Sequence, residues 1–200
     1  MKRLLVLASG RGSNFRAMIE AAKHGVLRAE IVALGVSKKD SGAIQIAEAH
    51  KLPVLLAPTE AEILEYLRRE RIDAVVLAGY MKILTPSFIE ALRDKDGLPR
   101  IINIHPSLLP AFPGMNSYAQ AFDAGVRESG VTVHLVENEV DSGPILDQKS
   151  FRIDRLRTAE EVEARGLPIE HELYARTVDW FVNGEYRVEK RNGRLYVGRV

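Results

Sequence analysis

Four short apolar runs, each followed by a helix-like pattern, occupy the first ninety residues and constrain the fold more than any other feature. They are Leu4 to Ala8, Ile31 to Val36, "LPVLLA" (52–57) and "DAVVLAG" (73–79). Runs of this kind suit strands that are covered on both faces. Helical patterns fill the gaps: Ser13 to about Lys23, Ala43 to His50, and an amphipathic stretch from Thr59 to Glu70 opened by Thr59 as N-cap. A further helix is expected to start at Pro86. Alternating strands and helices with short connections predict an α/β fold, a parallel sheet with helices on each side.

The texture changes at "IINIHPSLLPAFPG" (101–114). Side chains two apart on a strand share a face, so Ile102 and Ile104 pack inward together while Asn103 and His105 project together. That pair is either a capping Asn beside a satisfied core His, or a functional couple. A helix is expected around Tyr118 to Asp123, and "GVTVHLVEN" alternates like an antiparallel strand with "PILDQKSFRI" as its partner. The last quarter reads as helical from about Thr158 with an interruption at Gly166 and Pro168. A closing hairpin should turn at Asn192-Gly193. With no repeat or linker, residues 1–200 read as one domain, its halves meeting near residue 100.

Bulk properties exclude several classes. A net charge of +1 argues against a broad nucleic-acid footprint. The absence of cysteine rules out disulfides and thiolate metal sites. No apolar run is long enough for a signal peptide or membrane span, so a cytoplasmic protein is expected.

Three further segments carry possible chemistry. "SGRGSN" (9–14) falls between the first strand and first helix, where glycines present backbone amides to an anion or simply make a tight turn. A dinucleotide site would need a third glycine and an acidic residue about 20 residues on. Position 15 is Phe, and the second strand runs into "SKKD", leaving only Lys38 and Lys39 to meet an NADP phosphate. A single phosphate fits the loop better. "AGYMKIL" (78–84) follows the fourth strand, where α/β proteins bind ligands, or merely packs. "ENEVDSGPIL" (137–146) is strong turn chemistry, and its Asp141 gains interest only if the fold brings it to His105, whose protonated form it would favour.

These segments together resemble one family. "SGRGSN", "VVLAGYMKIL", "INIHPSLLPAFPG", "QAFDAGVRESGVTVHLV", "DSGPIL" and "EHELY" occur in the order seen in phosphoribosylglycinamide formyltransferases, a branch of the folate-dependent formyltransferases. The resemblance implies a Rossmann-like, open and mostly parallel sheet. It implies Asn103, His105 and Asp141 as the catalytic set. Gly12, Ser13 and Asn14 would hold the substrate phosphate, and Glu170 would meet ribose hydroxyls. Met81, Lys82, Ile83 and Leu84, with Asn103 and the turn Glu137, Asn138, Glu139, Val140 and Asp141, would line a folate pocket. The implied co-substrate is 10-formyltetrahydrofolate and the acceptor glycinamide ribonucleotide, with no metal, in a monomer or homodimer. Residues 1 to about 100 would then be a phosphate-binding half and the remainder a catalytic and folate-binding half.

The family also supplies alternatives: a formyltetrahydrofolate hydrolase or another folate-dependent formyltransferase. A non-catalytic nucleotide-binding module fits less well, since it needs no such trio. This sequence departs from the family pattern in places. Lys82 stands where arginine is usual, losing a planar fork. Asn116 and Tyr118 replace basic or small residues. Gly166 and Pro168 are expected to break a helix that the family keeps continuous, close to Glu170.

Overall fold

A computed structural model describes all residues, 1–200. Four strand–helix units come first: β1 (Lys2–Ala8), α1 (Ser13–Lys23), β2 (Ala29–Val36), α2 (Ala43–Ala49), β3 (Val54–Leu56), α3 (Glu60–Arg69), β4 (Ala74–Ala78) and α4 (Pro86–Glu90). Then follow β5 (Ile101–His105), α5 (Ser117–Asp123), β6 (Glu128–Leu135), β7 (Ile145–Arg152), α6 (Ala159–Val182), β8 (Tyr186–Arg191) and β9 (Arg194–Arg199). Seven strands form one sheet in the order β3-β2-β1-β4-β5-β6-β7. The first five are parallel, while β6 and β7 are antiparallel additions on one edge. β8 and β9 make the separate hairpin, and positive φ at both Asn192 (49°) and Gly193 (80°) gives it the tight turn the Asn-Gly pair anticipates.

Side-chain alternation divides the interior into two cores. Leu4, Val6 and Ala8 of β1 face the larger one, built with α1, α2 and α6. Leu5 and Leu7 face the smaller one, with Ile63 and Tyr66 of α3 and Phe88 of α4. On β5, Ile102 and Ile104 enter the larger core and Ile101 the smaller. Asn103 and His105 therefore continue Ile101's face beyond the end of the smaller core.

The strand order reverses between β1 and β4, so the connections leaving their carboxyl ends diverge and open a crevice. "SGRGSN" and the start of "AGYMKIL" lie there.

One expectation is corrected. α6 runs unbroken through Gly166 and Pro168 for 24 residues. Pro168 removes the bond to the Ala164 carbonyl, a loss of about 3 kcal/mol in a helix interior. Ala164 and Pro168 are both exposed, so water reaches that side of the helix, while Gly166 is buried. The opposite face buries Val162, Leu173, Tyr174, Val178 and Phe181, and burial of each large apolar side chain contributes roughly 1.5–3 kcal/mol. Packing outweighs the local penalty. The Tyr174 hydroxyl also lies 2.7 Å from the Leu77 carbonyl and 2.9 Å from that of Ile102, fixing the register of α6 against β4 and β5.

Candidate active site

At the end of β5 the antiparallel neighbour β6 sets His134 opposite Asn103. Directly opposed residues in such a pair share a face. Asn103 Nδ2 donates to His134 Nε2 at 3.2 Å, and His134 Nδ1 donates to the Leu135 carbonyl at 2.8 Å. These partners fix a neutral ring with its proton on Nδ1. Burial acts in the same sense, pushing the His134 pKa below its ordinary value against the pull of the Leu135 carbonyl and the Asp141 charge. One amide N–H of Asn103 is thereby used for orientation, and the second is left for another acceptor.

Asp141 closes the cluster from the turn after β6. Its φ of 55° is left-handed, which Asp and Asn tolerate better than most residues. Oδ2 accepts from the Gly114 N–H at 2.8 Å and lies 3.3 Å from His105 Nδ1, while Oδ1 is 3.6 Å from His134 Nε2. On its other edge His105 Nε2 donates to the Phe112 carbonyl at 2.9 Å, with the Ser117 hydroxyl 3.1 Å away. A neutral ring bonded this way would turn its Nδ1 lone pair toward a carboxylate. Only the imidazolium donates at both nitrogens. The arrangement sets an acceptor against each edge of the His105 ring with an amide donor beside it, a pair able to stabilise a developing oxyanion.

A pocket of about 410 Å³ opens at the crevice, lined by residues 10–14 of the first loop, Ala78 and Gly79 after β4, Ser117 and Tyr118 of α5, and Glu160, Glu163, Leu167 and Glu170 of α6. Positions 163, 167, 170 and 174 lie on one helical stripe, so the anchor at Tyr174 also aims Glu163 and Glu170. Gly12 caps α1 at φ 80° with no side-chain cap, leaving first-turn amides open to an anion. A Cβ on Gly12 would stand 2.9 Å from Ala43 Cα, so the residue is doubly required. Arg11 is the one cation in the lining and bridges to Glu163 at 2.6 Å. Glu170, 7% exposed, accepts from Asn14 Nδ2 at 2.8 Å and from the Tyr118 hydroxyl at 2.7 Å.

Residues 2–178 match the family model described as formyl transferase. The chain belongs to the formyl transferase family. It is 39% identical over 198 residues to the phosphoribosylglycinamide formyltransferase of Haemophilus influenzae, a match covering 94% of this chain and 91% of the relative. Identity to the Bacillus subtilis protein of the same name is 38% over 199 residues, covering 95% and 100%. The crystal structure of glycinamide ribonucleotide transformylase 1 from Symbiobacterium toebii superposes with a TM-score of 0.89 at 32% identity, covering all of this chain and 94% of the other.

Within this formyl transferase, Gly12, Ser13, Asn14 and Glu170 line one pocket, and Ser117 connects it to His105. Asn103, His105 and Asp141 converge as one cluster. Met81 to Leu84 and the 137–141 turn do not line that pocket. Met81, Lys82 and Ile83 are exposed, but Leu84 is buried in the smaller core. Glu137 is held by a two-pronged ion pair to Arg93 at 2.6 and 3.0 Å, and Asn138, Glu139 and Val140 are exposed. Lys38 and Lys39 are exposed and outside the pocket lining. His134 and Tyr118 were missed as members of the site. The signal for His134 lay in strand pairing: an antiparallel neighbour of "NIH" carrying "TVH" puts a second imidazole across from Asn103.

Proposed function

We propose that this protein transfers a formyl group from 10-formyltetrahydrofolate to the amine of glycinamide ribonucleotide in purine biosynthesis, and that one domain does so with a phosphate-binding first half and a catalytic, folate-binding second half. The observation that carries this reading is the convergence of Asn103, His105 and Asp141 beside a pocket floored by an uncapped helix start. Gly12, Ser13 and Asn14 receive the phosphate, and Glu170 the ribose hydroxyls. Met81, Lys82 and Ile83 with the 137–141 turn take the folate, while Leu84 supports that wall from the core.

The neutral glycinamide amine attacks the formyl carbon, forming a C–N bond and placing negative charge on the former carbonyl oxygen. The free N–H of Asn103 donates to that oxygen, a contribution of roughly 3–4 kcal/mol in a preorganised site, and the His105 imidazolium, held between Phe112 and Asp141, places its positive charge beside it. The carbon–N10 bond of the folate then breaks. The departing nitrogen gains a proton from His105, directly or through water, and the attacking amine passes its surplus proton by the same route to the His105 ring left neutral, which restores the imidazolium. Both His105 nitrogens face protein acceptors and Asp141 Oδ2 is tied to the Gly114 N–H, so neither is set up as a covalent nucleophile and transfer is direct.

The test is folate deformylation followed by absorbance with and without glycinamide ribonucleotide. Turnover dependent on the ribonucleotide is expected. Equal turnover with water alone would make the protein a hydrolase and end this reading.

A further inference from the structure

Glu170 is a buried carboxylate whose two oxygens each accept from one protein donor, Tyr118 Oη at 2.7 Å and Asn14 Nδ2 at 2.8 Å. An ionised carboxyl offers about four lone-pair positions. One position on each oxygen is therefore left, a spacing that suits two adjacent hydroxyls. Burial, and then the neighbouring Glu170 charge, push Tyr118 ionisation far above the ordinary phenol range, so the residue remains a donor.

Tyr118 reaches this place because of Gly166, one helical turn before Glu170. A Cβ at 166 would stand 2.0 Å from the Tyr118 hydroxyl oxygen and 2.4 Å from Cζ. Glycine in a helix interior is less favourable than alanine, so α6 by itself gains nothing from it. Close approach of α5 supplies the reason. The residue that looked like a helix breaker is the space in which a tyrosine meets the carboxylate.

We propose that Tyr118, admitted by Gly166, is a positioning residue that presets Glu170 to accept the vicinal ribose hydroxyls of the substrate. This rests on the reading of Glu170 given above. Asn14 fixes one oxygen and Tyr118 the other, so the carboxylate cannot rotate away, and an acceptor held in place selects for a diol.

Steady-state kinetics with glycinamide ribonucleotide and its 2′-deoxyribose analogue test this. Tyr118→Phe should raise KM for the ribonucleotide about tenfold, the loss of one hydrogen bond to a charged group. Its kcat and its KM for formyltetrahydrofolate should stay unchanged, and the preference for ribose over deoxyribose should narrow. Glu170→Gln should lose more affinity and nearly all of that preference. If Glu170→Gln behaves so while Tyr118→Phe leaves KM and preference untouched, the positioning role is overturned and the ribose reading stands. If Glu170→Gln leaves both unchanged, the ribose reading falls as well. A drop in kcat matching the rise in KM would assign Tyr118 to general architecture and overturn its role. The steric half is read from melting temperature: Gly166→Ala should destabilise the wild-type protein but not a Tyr118→Ala background. Equal destabilisation in both would remove Gly166 from the account.

Discussion

Around Asn103, His105, His134 and Asp141 the polar groups hold one another inside the protein, whereas around Arg11, Gly12 and Ser13 they face an open pocket. In the first region His105 is 4% exposed and His134 2% exposed, and each ring nitrogen has a protein partner in reach. In the second, the helix start is left uncapped and the one cation is 82% exposed. The contrast follows from what each end has to do. A developing oxyanion is met best by donors fixed beforehand in a water-poor site, where charge interactions are strong. A phosphate that must arrive from water needs donors left free to receive it. The closed end is therefore brittle and the open end graded.

The largest expected effect sharpens that contrast. His105→Ala and Asn103→Ala should each lower kcat by about 10² to 10³, with ribonucleotide KM little changed and the fold kept at a cost of about 1–3 kcal/mol for the buried partner left unpaired. Because the residues act as a unit, the double variant should lose less than the product of the single losses. Rapid-quench or steady-state rates with a parallel melting curve decide it. A folded, fully active His105→Ala protein would leave His105 as a core histidine.

Asp141→Asn comes next. Asn also tolerates the left-handed backbone at this position, so the substitution removes charge and keeps shape. Losing the carboxylate charge 3.3 Å from His105 Nδ1 is expected to lower kcat by roughly 10- to 100-fold. Retained activity would show that Asp141 only ties the turn to Gly114.

At the open end, Gly12→Val should act on binding instead. A β-branched residue at φ 80° is strained by roughly 1–3 kcal/mol, and its side chain collides with Ala43. Ribonucleotide KM should rise up to about a hundredfold while binding of a folate analogue survives, which calorimetry can separate. Simultaneous loss of both ligands would erase the distinction between the two ends.

The smallest effect concerns His134→Gln. Gln can still accept from Asn103, so kcat should fall only about tenfold. The clearer signature is in stability. Burial lowers the folded pKa of His134 below 6.5, so beneath that pH the unfolded chain binds a proton that the folded one refuses. Stability is complete above pH 6.5 and declines on acidification, by at most about 1.4 kcal/mol per pH unit from this group. Melting temperatures measured from pH 7 to 5 should fall less steeply in His134→Gln than in the wild type. Parallel slopes would mean that His134 is not held neutral.

Much of this was legible in the sequence. Apolar runs, the Thr59 cap and the Asn192-Gly193 turn are local signals, because strand period, capping and turn chemistry act within a few residues. The parallel sheet, its crevice and the shared face of Asn103 and His105 followed from them. Three features did not. The continuity of α6 through Pro168 depends on apolar burial against strands far away in the chain, which local propensity does not report. The partnership of His134 with Asn103 depends on strand register, and that of Tyr118 with Glu170 on how closely α5 approaches α6 at Gly166. Sequence by itself determined which groups were available and the period on which they were displayed. Tertiary structure alone decided which of them met, because contacts between residues 31 or 52 positions apart are set by packing that no short window of residues contains.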